Sequence, residues 1–286
     1  MPKFSVNIQE DHKVRSIENE YLQAADYVRD KLKAKPDVLL VLGSGLGALA
    51  DEMDGAVAVS YREIPHFKTS TAPGHKGRLV AGKLGGKNVI AMQGRIHVYE
   101  GYSPLEASLP VQVAHHLGAK NMIVTCACGG VNTDYNVGDI CLISDHINLT
   151  HPGPMLGMNM SRFKNRFVDM SKVYDGDYID LAKTVADSTN VKIKEGVYFY
   201  MPGPSYETPA EIKAIRTLGG DLVGMSLVHE VSMARLLEMR VLGFGLVTNM
   251  AAGILDKPLS EDEVISEGKK ATTKFSKLIK GILKKM

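Results

Sequence analysis

Cysteine is scarce in this chain. Only Cys126, Cys128 and Cys141 occur in 286 residues, and all three lie within or beside apolar runs. An odd trio builds no disulfide framework, so a reducing, cytoplasmic setting is expected. Long apolar runs are missing too: nothing approaches the roughly 18 consecutive apolar residues of a membrane span. The opening Met-Pro-Lys-Phe-Ser-Val has no signal-peptide core, so neither export nor membrane insertion is expected. Charge of one sign is also lacking, with 34 Lys plus Arg against 32 Asp plus Glu. That balance offers no field for nucleic acid or an anionic bilayer, leaving small-molecule work as the default. No composition break marks a linker, so residues 1–286 read as a single domain, with 1–16 as a poorly ordered arm.

What is present alternates between strand and helix. Leu22, Ala25, Val28 and Leu32 recur at helical spacing, and that pattern stops at Pro36. Val38-Leu39-Leu40-Val41-Leu42 is too short for a buried helix and too apolar for a half-exposed strand, so it reads as a central strand covered on both faces. Leu46 to Met53 then reads as helix. Arg78 to Lys83 and Lys87 to Met92 flank Gly85-Gly86 as a hairpin. A helix near Leu105 to Leu117 contains Pro110, which opens or kinks it. Strands follow at 122–125, 140–144, 197–200, 222–225 and 241–248, interleaved with helices at 178–188, 209–218 and 228–239. From Glu261 on, Val264, Ala271, Phe275, Leu278 and Ile282 form an inward stripe, with Lys277, Lys280, Lys284 and Lys285 outward. The fold class implied is α/β: a three-layer sandwich with a central mixed β-sheet flanked by helices, and ligands at the strand C-terminal ends. Residues 151–160 show no period and suit a lid, an intersubunit loop or a plain surface loop.

The chemistry gathers in a few short motifs. Gly43-Ser44-Gly45-Leu46-Gly47 leaves the buried strand as a glycine-rich turn, where backbone N–H groups converge on an anion and Ser44 adds a hydroxyl. Gly43-x-Gly45-x-x-Ala48 also fits the loose dinucleotide fingerprint. That reading needs an acid closing a second strand, and its one candidate, Glu63, has no convincing strand before it. In Gln93-Gly-Arg-Ile-His-Val-Tyr-Glu-Gly101, an extended backbone would put Arg95, His97 and Tyr99 on one face. That is a guanidinium fork, an imidazole able to donate and a phenol, which suits an anion bound beside a sugar. His75, between glycines, becomes functional only if the anion lies next to it. Tyr206-Glu207 precede a helix start at Thr208-Pro209 and suit a flat heterocycle, the ring stacking and the carboxylate accepting N–H bonds. Val223-Gly224-Met225-Ser226 and Thr248-Asn249 end apolar strands in polar groups, the usual rim of a site in such folds.

Taken together, these motifs and Gly129-Gly130 resemble, in order and spacing, the purine nucleoside phosphorylases of the low-molecular-mass, trimeric type, over about Val38 to Ile254. The resemblance implies phosphorolysis of a purine ribonucleoside to free base and ribose 1-phosphate, with inorganic phosphate as co-substrate and neither organic cofactor nor metal. It implies a phosphate site of Ser44, His75, Arg95, His97, Ala127 and Ser226. The ribose would meet Tyr99, Met225, Glu261 and Phe163, the last reaching in from a neighbouring subunit of a homotrimer. The base would meet Tyr206, Glu207, Val223 and Asn249. His97, Asn249 and Glu207 would be the catalytic residues.

Three departures from the family pattern carry expectations of their own. Thr125-Cys126-Ala127-Cys128-Gly129-Gly130 places two thiols beside the anion nest, either oxidation-sensitive or simply small buried hydrophobes. Glu261 stands where the family places a histidine against the sugar 5′-hydroxyl, and a carboxylate accepts but cannot donate. Asn249, not Asp, suggests 6-oxopurines (inosine, guanosine). The alternatives are methylthioadenosine phosphorolysis, a nucleoside-binding protein that has lost the chemistry, and a nucleotide-cofactor dehydrogenase.

Overall fold

The computed structural model describes residues 8–149, 153–158, 160, 163, 167–256 and 258–286, with side chains described from residue 20 onward. Residues 1–7 of the expected arm lie outside them, as do several positions of the 151–160 loop. Nine strands form one mixed sheet: β1 (Val38–Leu42), β2 (Asp54–Ser60), β3 (Arg78–Leu84), β4 (Lys87–Gln93), β5 (Asn121–Gly130), β6 (Ile140–Ile147), β7 (Ile193–Tyr200), β8 (Leu222–Gly224) and β9 (Arg240–Met250). Among the described residues, six α-helices accompany them: α1 (Ile8–Leu32), α2 (Pro104–His116), α3 (Gly176–Thr189), α4 (Pro209–Thr217), α5 (Val228–Leu236) and α6 (Glu261–Lys285).

The burial of β1 shows why the sandwich has three layers. All five residues are fully buried. Leu39 and Val41 face a core shared with α1, α2 and α5, while Val38, Leu40 and Leu42 face one shared with α3 and α6. The two-residue side-chain period thus feeds opposite cores, which requires helices on both faces. β1 runs parallel to both β4 and β5, and β5 runs parallel to β9, so the C-terminal ends of these four strands share one edge of the sheet. The far end of the sheet curls back on itself: β5 pairs with β9, β9 with β6, β6 with β7, β7 with β8, and β8 again with β5. This five-strand ring sets Val223 opposite Gly129 and carries Met225 and Ser226 to the same edge.

The α/β expectation holds, with four local corrections. β2 was not anticipated, because its Asp-Gly-Ala-Val-Ala-Val-Ser is mostly exposed and carries almost no buried stripe. A strand therefore does precede Glu63, yet it pairs antiparallel with β3, and Glu63 merely accepts the Ser60 N–H in a capping box. β3 and β4 separate that strand from β1, whose neighbours are β4 and β5, so among the described residues no acid closes a parallel strand beside β1 as the dinucleotide reading needs. The helix expected from Leu46 is a 3-10 helix over Gly47–Glu52. Of the two readings of Pro110, opening α2 is excluded: it sits inside the helix, so the carbonyl of Glu106 lacks its helical N–H partner.

The fourth correction concerns residues 93–101, which are not extended throughout. β4 ends at Gln93, Gly94 takes φ +100°, and Val98–Glu100 form one 3-10 turn. A Cβ at Gly94 would sit 2.7 Å from the His75 Cβ, so the close approach of the two loops demands glycine there. Glu100 then accepts the His97 N–H at 2.8 Å and closes the turn.

α6 is the amphipathic helix expected, with Ala271, Phe275, Leu278 and Ile282 buried. It seats directly on the glycine-rich turn. Gly45, at φ +77°, has no room for a side chain, since a Cβ there would meet the Gly268 Cα of α6 at 2.5 Å. Thr272 adds a hydroxyl donated to the Gly45 carbonyl at 3.4 Å.

Candidate active site

A cavity opens at the shared strand edge. Ser44, Arg95, His97, Tyr99, Ala127, Tyr206, Glu207, Val223, Met225, Ser226, Asn249 and Glu261 all line it. Of the expected residues, two do not. His75 stands one step behind, against Ser44, and Phe163 packs against the large apolar core of its own chain.

Arg95 is the centre of the anion end. It is 1% exposed, and its Nε donates to Glu230 Oε1 at 2.9 Å. Nη1 donates to the Thr125 carbonyl at 2.8 Å and to Ser226 Oγ at 3.0 Å. Nη2 is buried with no partner, an arrangement that is costly unless a ligand supplies an acceptor. The two serines complete the set by a hydrogen-bond argument. His75 Nδ1 lies 3.1 Å from both the Arg95 amide and its carbonyl, but only the amide is an obligatory donor, so Nδ1 accepts. Burial holds the His75 ring neutral, its pKa pushed down to about 3. Its single proton is then on Nε2 and goes to Ser44 Oγ at 3.1 Å, leaving the Ser44 hydroxyl hydrogen free for a ligand. Ser226 Oγ likewise accepts from Arg95, and its backbone N–H donates to Tyr198 Oη at 3.1 Å, which fixes the residue beside the guanidinium.

His97 lies next in a stack of three rings, 5.1 Å from His75 and 4.5 Å from Tyr99 between centroids. Although the backbone is not extended, the 3-10 turn still brings these rings together. Burial lowers the His97 pKa despite its bond to Glu100. Glu100 is held at about 2 by hydrogen bonds from His97 and Thr71, which outweigh its own burial, so it is a carboxylate and can only accept. The neutral imidazole therefore carries its proton on Nδ1, facing Glu100, and presents Nε2 as an acceptor. Donation to a ligand from Nε2, the role read from the sequence, requires the protonated ring.

The opposite end suits a flat base. Glu207 is buried, its Oε1 has no partner, and burial raises its pKa. Tyr206, 41% exposed, borders the mouth, where it and Tyr99 both feel the negative charge of Glu261. Asn249 is oriented by Thr248, whose hydroxyl donates to Oδ1 at 3.1 Å, while Nδ2 donates to the Met250 carbonyl at 3.3 Å. Cys126 and Cys128 are buried and donate S–H weakly to the carbonyls of Phe244 and Leu246. Burial pushes the Cys128 thiol well up, so it is the unreactive form that occupies the site wall. Among the described residues, no cluster of three or more His, Cys, Asp or Glu is arranged to hold a metal.

Sequence reasoning missed Glu230, Thr125, Glu100 and Tyr198. A single acid in the buried Val-His-Glu-Val-Ser-Met-Ala of α5 was the available signal for Glu230.

A buried guanidinium with an unpartnered donor and a buried carboxyl with an unpartnered acceptor line one cavity on the C-terminal edge of a mixed sheet, a set that suits the class of enzyme working between a nucleoside and a small oxyanion. A family model of the Phosphorylase superfamily matches residues 37–284. The chain is 49% identical to Purine nucleoside phosphorylase 1 of Bacillus subtilis, over 91% of its own length and 96% of the relative's. It is 43% identical to the purine nucleoside phosphorylase of Rattus norvegicus, over 91% and 92%. A crystal structure of Schistosoma mansoni purine nucleoside phosphorylase in complex with adenosine superposes with a TM-score of 0.89 at 35% identity, covering 94% of this chain and 98% of that one. The chain belongs to the phosphorylase superfamily and, within it, to the purine nucleoside phosphorylases, which are pentosyltransferases.

Proposed function

We propose that this enzyme cleaves 6-oxopurine ribonucleosides, inosine and guanosine, with inorganic phosphate to give the free base and ribose 1-phosphate. The observation that carries this reading is the pair of buried, unpartnered groups at opposite ends of one cavity, the Arg95 Nη2 donor and the Glu207 Oε1 acceptor. A dianion answers the first. The ring and exocyclic N–H groups of a 6-oxopurine answer the second.

In the reaction, a phosphate oxygen held by Arg95, Ser44 and Ser226 forms a bond to the anomeric carbon as the bond from that carbon to the purine nitrogen breaks. The electron pair leaves with the purine. Positive charge grows on the sugar above the phosphate, and negative charge grows on the base, where the Asn249 amide donates to it. Phosphate needs no general base to attack, so the lack of a paired-carboxylate arrangement is no obstacle. The sugar would lie between Tyr99 and Met225, with Glu261 accepting its 5′-hydroxyl.

The proposal includes a homotrimer in which Phe163 of one subunit reaches the ribose of the next. It is supported by the exposed apolar side chains of Leu149 (68%), Leu156 (75%) and Phe167 (85%), which flank that residue in sequence. Sedimentation at several concentrations tests it. A cytoplasmic setting fits the three free thiols. The decisive experiment measures hypoxanthine release from inosine with and without phosphate, and the same for adenosine. Phosphate-independent release, or adenosine turnover equal to that of inosine, would refute the assignment.

A further inference from the structure

Glu230 belongs to none of the ligand contacts described above. It is 2% exposed in α5 and does not line the cavity, yet it makes a buried ion pair with Arg95. Its charge gives an incoming anion no benefit, since a carboxylate beside an oxyanion site repels the ligand. Its geometry does give one. A guanidinium is a planar fork, and grips on Nε and on Nη1 fix both its plane and its rotation. Glu230 supplies the first grip, while Ser226 and Thr125 supply the second. Ser226 and Glu230 are four residues apart across the start of a single buried helix, entered through Leu227 at φ +56°. Their separation is therefore set by backbone and not by side-chain freedom.

We infer that Glu230 is a positioning residue that turns the Arg95 guanidinium so that Nη2 faces the phosphate, through the reach of its carboxyl group and not through its charge. The inference rests on the proposed phosphate site. It extends that site to a residue that never touches the substrate.

Two variants separate reach from charge. Glu230→Gln keeps the length and the acceptor and gives up the charge, whereas Glu230→Asp keeps the charge and withdraws the acceptor by one methylene. Loss of one well-aligned charge-assisted contact predicts a KM for phosphate about tenfold higher in Glu230→Asp, with Glu230→Gln within about twofold of wild type. The KM for inosine is expected to stay within about twofold in both variants, because the base and sugar contacts lie on other elements. A readout without turnover is the rise in Tm on adding inorganic phosphate, expected to shrink in Glu230→Asp and to persist in Glu230→Gln. The inference is overturned if Glu230→Gln loses phosphate affinity while Glu230→Asp keeps it, if both variants match wild type, or if the phosphate and inosine constants rise together. Wild-type protein that neither gains Tm with phosphate nor needs it for turnover would instead remove the site reading, and the inference would fall with it.

Discussion

Replacing Arg95 by Met tests the anion cradle and its buried counter-charge in one experiment. The substitution keeps an unbranched apolar stem and removes every guanidinium bond. Phosphate loses the Nη2 donor and the charge behind it. With charge-assisted bonds contributing about 1.5–3 kcal/mol each, a loss of about 3–4 kcal/mol corresponds to a 10²–10³-fold lower kcat/KM for phosphate. Stability falls for a separate reason. The Arg95 and Glu230 side chains are 1% and 3% exposed, so Glu230 is left as a buried carboxylate without its cation, at about 3–5 kcal/mol. Adding Glu230→Gln removes that orphan charge. The double variant should regain most of the lost stability in urea unfolding while its phosphate kinetics remain impaired. Kinetics in a coupled inosine assay and unfolding free energies, taken on the same preparations, separate the two effects. The reasoning is refuted if Arg95→Met keeps its KM and kcat for phosphate, if it unfolds at the wild-type urea concentration, or if the double variant recovers phosphate use without a guanidinium.

Asn249→Asp should move preference from inosine toward adenosine, since a carboxylate accepts from a 6-amino group and repels a 6-oxo group. A change in the inosine-to-adenosine ratio of kcat/KM of at least about 100-fold is expected, and an unchanged ratio would contradict the assigned base contact. Glu207 accepts two base N–H bonds only as a carboxylate, and burial raises its pKa above the ordinary carboxylate value. As pH falls, nucleoside affinity is therefore lost before an ordinary carboxylate would titrate, and Glu207→Gln should flatten that acid limb of the profile. Glu261→Leu should raise the KM for inosine about tenfold and leave that for phosphate unchanged, with 5′-deoxyinosine indifferent to the substitution. An aromatic disulfide reagent should titrate the thiols of Cys126, Cys128 and Cys141 only after denaturation, and rapid labelling of the native protein would contradict their burial.

The sandwich was legible because β1, β5 and β9 are apolar enough to announce burial on both faces, and because α6 carries an uninterrupted stripe. β2 was not, since an edge strand with one buried residue leaves almost no periodic signal. The site residues were legible as types in motifs. Their roles depended on partners distant in sequence. Nothing near Arg95 indicates that Glu230, 135 positions away, holds its Nε. The tautomer of His97 follows from Glu100, visible in the same motif, but only the folded turn shows that Glu100 faces the ring and not solvent. Tyr99 was placed with the right neighbours by the wrong geometry, because a 3-10 turn and a strand happen to bring residues two apart into one stack here.

Gly45 and Gly268 touch backbone to backbone, 223 positions apart along the chain, and that contact dictates when the enzyme matures. During synthesis, the turn bearing Ser44 emerges early and gains its contacts to His75, Gln93 and Thr125 as the sheet pairs, but its Gly45 side stays uncovered until residues 261–285 have cleared the ribosome and coiled. Nascent chains stalled before that point should be catalytically silent even with the whole sheet paired, and activity should switch on with the docking of one helix.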